Sequence, residues 1–513
     1  VADIKLSERT HPLYDENENK WNFYFDSAIG GDNIANSDNI FEHRLEDAED
    51  HDDRIERAYY LNFCDTIPSI YNSFIFRESI TRPPDEVLQH FRRNADGRGL
   101  NITNFVKKAG YYASIYGAIH ALVDLPPTTK KVKSKRDVKS GEIAPYASLI
   151  FPSQLVDWSV DSWGDLRWIV LRSTYYNDED PGKEREEEQH YKLITRDEWR
   201  IENEDGVAPK LADGVPNKGK NEWGLIPLVT MYHKDINNDR IGESMIKDIA
   251  YINRAILNWC SCIDEQIERQ TFSQLVIPDN GELVEEAENG GEPLRKVGTS
   301  SIWTFPHDAG QPPQFISPNT NNIKVVWAII LDHIKEIYRI AKLIGGTGDL
   351  YASRSGRAAQ MGFQGVNAAL AEKSMAYEKF ENDLNALIYY YHNKNTEELD
   401  PVKYPSTFDV AALADELDDQ LKLMEKNFSP TLNKTLQKNL ARKAVPLAPE
   451  SIRLEIEKEI DAGSGVIESA KVTEQEEGRV GEDGNPNVNN LSNTFRGVSD
   501  KEEDEVNKQK KEE

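Results

Sequence analysis

The strongest constraint on this chain is the stretch from Asp239 to Asn393. It reads as two long helices around a short Pro/Gly-rich β insert, then a glycine loop and a third long helix. From Asp239-Arg-Ile-Gly onward, Ile246, Ile249, Ile252, Ile256, Trp259, Ile263 and Ile267 recur at three- and four-residue spacing. That spacing lays one apolar stripe along a helix of roughly 45–50 Å, at 1.5 Å per residue. A second helix is expected from about Asn322 to Ile344, where Gly345-Gly-Thr-Gly stops it, because glycine accepts the positive φ of a helix C-cap. A third climbs from about Ser355 to Tyr391. Between the first two, Leu275-Val-Ile-Pro and Ile302-Trp-Thr-Phe-Pro read as strands split by an acidic, turn-rich stretch. Helices this long exceed the thickness of an ordinary globule. They point to a wall or stalk built by several copies side by side.

The 513 residues suffice for two to four domains. A net charge of -28 does not suit a sequence-reading DNA binder, which needs a basic footprint. It does not exclude a protein that surrounds a polyanion without gripping it, since like charge discourages sticking. Of three cysteines, Cys260 and Cys262 point in different directions on one helix, so no disulfide framework is expected and a reducing compartment fits. Without a signal peptide or a run of eighteen apolar residues, the expectation is neither export by the usual route nor a membrane span.

Residues 1 to about 57 are polar, and the carboxylates of Glu42–Glu56, with His43 and His51, follow no metal-loop spacing. They read as a solvated helix face. An amphipathic helix is expected from Arg57 to Ile80 (Tyr60, Phe63, Ile67, Ile70, Phe74), stopped before Arg82-Pro-Pro, and another from Asn104 to Tyr116. Strands follow at Gly117–Asp124, Tyr146–Phe151, Leu155–Trp158, Leu166–Ser173, Glu188–Thr195 and Glu198–Glu202, with Trp223–Tyr232 closing the α+β region. The basic segment Lys130–Lys139 lacks interleaved aromatics for stacking on bases and reads as a solvated loop. Trp158, Trp163, Trp168 and Trp199 could form a sugar-binding face, but their strand spacing fits core or edge packing better. Thr396–Asp461 reads as three shorter helices, and Ser464–Glu513, poor in apolar residues, as disordered.

No catalytic constellation emerges. There is no phosphate-binding Gly-x-x-x-x-Gly-Lys-Ser/Thr loop, Gly-x-Ser-x-Gly elbow, His-Glu-x-x-His or Cys-x-x-Cys pair. Gly345-Gly-Thr-Gly lacks both the lysine and the preceding strand of a nucleotide loop. His233 and His333 lie in or near amphipathic segments and read as packed side chains. The expectation is a protein without catalytic residues, metal or cofactor.

The order of elements resembles the portal proteins of tailed double-stranded-DNA bacteriophages over roughly residues 10–460. The resemblance rests on Gly242-Glu-Ser-Met-Ile-Lys-Asp-Ile opening a helix that leads to Gln274-Leu-Val-Ile-Pro, and on the β insert. It also rests on the helix ending at Ile344-Gly-Gly, and on Ser355-Gly-Arg-Ala-Ala-Gln-Met running into Leu370, Ala371, Ser374, Tyr377 and Glu378. Upstream, Tyr116-Gly through Leu122-Val-Asp-Leu-Pro, Pro145-Tyr and Val156-Asp-Trp resemble the wing of one portal-like subgroup.

The resemblance implies an α+β, mostly helical multi-domain fold with an α/β wing and a small β clip, assembled as a ring. Its parts would be a wing at 1–238, a first stem helix at 239–272, a clip at 273–318 and a second stem helix at 319–344. A tunnel loop at 345–355, a long wing helix at 356–394, a crown at 395–463 and a disordered acidic tail at 464–513 would follow. It further implies a dodecamer at one capsid vertex that passes double-stranded DNA without sequence specificity. The ring would meet the terminase large subunit, head-tail adaptors and major capsid or scaffolding proteins, with no membrane. Gly345, Gly346, Gly348, Asp349, Tyr351, Arg354 and Arg357 are its DNA-facing candidates; the two arginines fit ordinary helix N-terminal surface equally well. Glu282, Glu285, Glu286 and Trp303 are candidates for docking a partner at the clip. The alternatives are another virion structural or adaptor protein and, more distantly, a carbohydrate-active enzyme.

Overall fold

The computed structural model describes residues 4–125 (except 45), 144–177, 185–211, 216–270 (except 222 and 237–239), 274–279, 302–306, 314–316, 321–343, 356–408, 429–444 and 450–462, with single residues 182, 312 and 422. Helices and sheets are both present, so the fold is α+β. The chain divides into two compact units after Ala412.

The first unit begins with a helix hidden in the polar N-terminal stretch, α1 (Pro12–Ile29). Tyr14, Trp21, Tyr24 and Ala28 sit on its buried face between Asp, Glu and Asn residues, which masks the periodicity. Two helices follow, α2 (Ala48–Arg57) and α3 (Phe63–Ile75). The expected single helix from Arg57 to Ile80 is therefore shorter. The Asn62 side chain accepts from the N–H of Asp65 at 2.9 Å and so starts α3 six residues later. The short α4 (Gln89–Arg93) and α5 (Ile102–Tyr116) lead to Gly117, whose φ of +91 turns the chain into strand β1 (Ala118–Asp124).

Seven more strands belong to this body: β2 (Tyr146–Ile150), β3 (Leu155–Val160), β4 (Leu166–Asn177), β5 (Glu186–Thr195), β6 (Glu198–Asn203), β7 (Lys218–Lys220) and β8 (Leu228–Tyr232). They make an antiparallel sheet β2-β1-β8 and a five-stranded antiparallel meander β3-β4-β5-β6-β7. The basic segment at 130–139 lies outside the described residues.

The first long helix, α6 (Lys247–Gln270), has 24 residues, or about 36 Å. It starts eight residues after the expected Asp239. Gly242 bridges antiparallel to Asp235, and the Glu243 and Met245 N–H groups donate to the Lys234 and Ser114 carbonyls. Gly242-Glu-Ser-Met is therefore a turn docked on the body rather than a first helical turn. The docking needs glycine on both sides, since a Cβ on Gly117 or Gly242 would lie 2.1 Å from the other's carbonyl oxygen.

The β insert has three strands where two were expected: β9 (Gln274–Asp279), β10 (Ile302–Pro306) and β11 (Gln314–Ile316). Central β9 pairs parallel with β10 and antiparallel with β11. The pairing Gln274↔Ile316 brings the outgoing chain back beside itself. The second long helix, α7 (Asn321–Ile340), thus packs as the return arm of a hairpin with α6. It ends before the glycines. Lys342 takes the left-handed conformation (φ +56), and the Leu343 N–H donates to the Tyr338 carbonyl at 2.9 Å, a helix stop made without Gly345.

The third long helix, α8 (Gly356–Tyr391), has 36 residues, about 54 Å, and packs on α3, α5 and β8. Val366, Leu370, Tyr377, Phe380, Leu384 and Ile388 are its buried stripe. In the second unit, α9 (Pro430–Ala444) and α10 (Glu450–Ala462) pack together, and Lys438 Nζ lies 2.7 Å from the Asp461 carboxylate. Residues 464–513, expected to be disordered, lie outside the described residues.

Candidate functional site

Of the residues singled out as DNA-facing, Gly345, Gly346, Gly348, Asp349, Tyr351 and Arg354 lie outside the described residues, as do Glu282, Glu285 and Glu286. Arg357 falls in the first turn of α8, and Trp303 in β10 opposite Val276. The described contacts bring none of these residues together. What the structure does show is the hairpin that would carry them, its surface and its root.

Both arms of the hairpin bury one face. Ile249, Ile256 and Ile263 of α6, with Ile246 just before it, and Ile330, Ile334 and Ile337 of α7, with Ala341 just after it, belong to the core. The expected stripe on α6 is therefore only partly inward. Trp259 is 39% exposed and Ile267 44%. On α7, Val325 is 61% and Trp327 45% exposed, whereas the same arm nearer the body presents Asp332, Lys335 and Arg339. On α7 the large exposed apolar side chains thus lie toward the β insert, and Asp332, Lys335 and Arg339 toward the body. Among the described residues Trp259, Val325 and Trp327 keep much of their surface exposed, although burial of such a group is worth about 1.5–3 kcal/mol.

The hairpin is held to the body by specific polar contacts. Tyr71 of α3 donates to the Ala341 carbonyl at 2.6 Å, and Phe63 meets Tyr338 edge-on at 6.1 Å. The acidic segment before and within α2 grips α6. Arg54 donates to both carboxylate oxygens of Glu46 at 2.7 Å, to Ser261 Oγ at 2.9 Å and to the Phe41 carbonyl at 2.8 Å. Hydrogen bonding to Arg54, above all, holds the Glu46 carboxyl down to about 2. Asn258 accepts from the Phe41 N–H and donates to the Asn39 carbonyl, and Arg57 pairs with Glu265 and Glu268. Arg254 lies over the rings of Phe23, Phe41 and Tyr251 at 4.8–5.4 Å. Asp47, Glu49, Asp52, Asp53 and Glu56 face solvent, so the charge run is a solvated face with one buried clamp in its midst. Two arginines, Arg44 and Arg54, stand among the eight acids of that stretch, and nothing local in the sequence marks Arg54 as the buried one.

The remaining chemistry-bearing groups are packed. His120 is buried with Nδ1 3.0 Å from Thr230 Oγ1, and burial, aided by the Arg240 charge, lowers it to about 3. His233 is half-buried beside Lys373, and His333 contacts the Ile329 carbonyl at 2.7 Å. Neither was matched with these partners from sequence, because Lys373 lies 140 residues from His233. The four tryptophans do not form one face: the register Trp158↔Ile169↔Ile194↔Trp199 puts Trp158 and Trp199 on one side of the meander and Trp168 on the other. Trp158 is buried, Arg9 covers Trp168, Lys192 covers Trp199, and Trp163 alone of them is 90% exposed. An open cleft of about 440 Å³ lies between α1 and the start of α6, lined by Trp21, Tyr24, Tyr116, Lys247, Asp248 and Tyr251. Among the described residues no three His, Cys, Asp or Glu side chains converge as metal ligands, and no helix is long and apolar enough to cross a membrane.

No protein-family model and no curated protein matches the chain. Among solved structures, a chain of "Virion of native gene transfer agent (GTA) particle" aligns with 77% of this chain and 89% of its own length, at 12% sequence identity and a TM-score of 0.37.

Proposed function

We propose that this chain is a non-catalytic structural component of a virion, and within that class a portal. Copies of it would form a ring at one capsid vertex, through which double-stranded DNA enters and leaves. The observation that carries the reading is the α6–α7 hairpin, with Trp259, Val325 and Trp327 exposed on it. Two helices of this length, rooted in an α/β body and capped by a three-stranded sheet, match the stem and clip implied by the sequence resemblance. A closed ring places the same helix pair against its neighbour in every copy, through a heterologous interface that buries such side chains. The charge of -28 suits a channel through which a polyanion slides without sticking. In this reading the terminase large subunit, head-tail adaptors and capsid or scaffolding proteins dock on the ring.

Native mass spectrometry and negative-stain images of the purified chain test the reading. A ring with a central hole is expected; a monodisperse monomer at every concentration sinks it. Deleting residues 345–351 should leave the ring intact and impair DNA packaging or retention. Loss of the ring itself would remove that segment from the channel.

A further inference from the structure

Lys373 lies in the middle of α8 and is only 5% exposed. Its ammonium nitrogen donates to Ser114 Oγ of α5, sits 3.4 Å from Nδ1 of His233 just past β8, and is 3.9 Å from Met245 Sδ just before α6. Ser114 Oγ spends its one hydrogen on the Gly110 carbonyl at 2.6 Å, so only its lone pairs face Lys373. By the same logic Nδ1 of His233, turned toward an N–H donor, is the bare ring nitrogen and Nε2 carries the proton. Four segments remote in sequence thus share one buried polar centre. It lies where the turn before α6 docks, since the Met245 N–H and the Ser244 hydroxyl both donate to the Ser114 carbonyl.

Both titratable members of this centre are bases, and among the described residues no carboxylate contacts Lys373. The charges acting on His233 from its own segment and from the end of α7 are Lys234 and Lys342, both positive. Glu243, in the docked turn, commits its carboxylate to Lys234 and Lys247 at 3.0 and 3.5 Å. From α5 the centre receives the Ser114 hydroxyl, and one turn along α8 the Tyr377 hydroxyl is taken by Asn72 of α3.

We propose that Lys373 and His233 form a joint with room for one proton, which holds α8 to the root of the α6–α7 hairpin and loosens when a second proton enters. Burial lowers Lys373 to about 7. Burial first, then the charges of Lys373, Lys234 and Lys342, push His233 well below its usual range. On acidification Lys373 therefore fills first. A proton on His233 would then set a second cation 3.4 Å from the buried Lys373 ammonium, without a counter-charge among the described residues. The unfolded chain takes up both protons at their ordinary values. The joint is thus weakened as pH falls from the usual lysine value of 10.5 toward 7, and again below the usual histidine value of 6.5. This device belongs to a single copy of the chain and stands whether or not a ring forms.

Hydrogen exchange read by mass spectrometry on the full chain tests it, with each variant compared with wild type at the same pH so that intrinsic rates cancel. From about pH 8 to pH 5 the wild type should gain severalfold faster exchange in residues 366–391 and 244–256 over the rest of the body. His233→Gln, which can still accept from Lys373 but cannot titrate, should lose the part of that gain that arises below about pH 6.5, and Lys373→Met should reduce the whole. A full acid response in His233→Gln overturns the joint. So does an acid response spread evenly along the chain. Should Lys373→Met fail to fold, the milder His233→Gln decides alone.

Discussion

Arg82 and Glu381, 299 positions apart in the chain, meet in a two-pronged ion pair, Nε 2.6 Å from one carboxylate oxygen and a terminal nitrogen 2.9 Å from the other. Glu381 is fully buried, and Tyr404 donates to it as well, at 2.6 Å. The pair ties the Pro-rich segment after α3 to the middle of α8.

Removing one partner strands the other charge. Arg82→Met should destabilise the first unit by about 3–5 kcal/mol, because the Glu381 carboxylate stays buried without its counter-ion. Glu381→Gln in the Arg82→Met background should restore a large part of the loss. Urea midpoints of the single and double variants check this, and additive effects would mean the two groups do not depend on each other.

The Glu46–Arg54 clamp makes a pH prediction. Glu46 falls from the ordinary 4.5 to about 2 on folding, chiefly through its hydrogen bond to Arg54. A depressed carboxyl contributes stability that is complete above the unfolded value and lost as pH falls through the folded one. Between about pH 4.5 and pH 2 the wild type should therefore lose melting temperature more steeply than Glu46→Gln, and the two curves should converge at the acid end. Parallel curves would remove Glu46 from the linkage.

Gly110 of α5 lies under the ring of Tyr377 on α8, where an added Cβ would sit 2.0 Å from Cζ. Gly→Ala in a helix ordinarily gains about 1 kcal/mol. Here Gly110→Ala should instead cost about 1–3 kcal/mol by overpacking, and Tyr377→Leu in the same chain should relieve much of it. Thermal melts of the two variants measure both effects.

The uncovered hairpin surface separates assembly from folding. Trp259→Asp and Val325→Asp should leave the melting temperature of an isolated copy nearly unchanged, since both sites are exposed there. The same changes should abolish the ring seen by native mass spectrometry. Rings that persist in both variants would place the subunit interface elsewhere.

Much of the fold was legible because hydrophobic period is a local signal. The stripes of α6, α7 and α8, the strand runs from β1 to β6 and the helix ending at Tyr116 all follow from it. Where it failed, a longer-range contact had taken over. Gly242-Glu-Ser-Met looks like a helix start until Gly117 and Ser114 pull it into a docked turn. The end of α7 is set by Lys342 in the left-handed region, a choice that sequence assigns to the glycines beyond it.

By itself, then, the sequence determined the main element types, the α+β class and the two long helices around a β insert. Each is encoded in residues a few positions apart. The tertiary structure alone decided which apolar residues of the hairpin stay uncovered and which charges go inside. Arg54, Glu381 and Lys373 look like surface residues in the sequence. Their burial depends on partners dozens to hundreds of positions away, because a charge is tolerated inside only where folding delivers the matching hydrogen-bond groups to it.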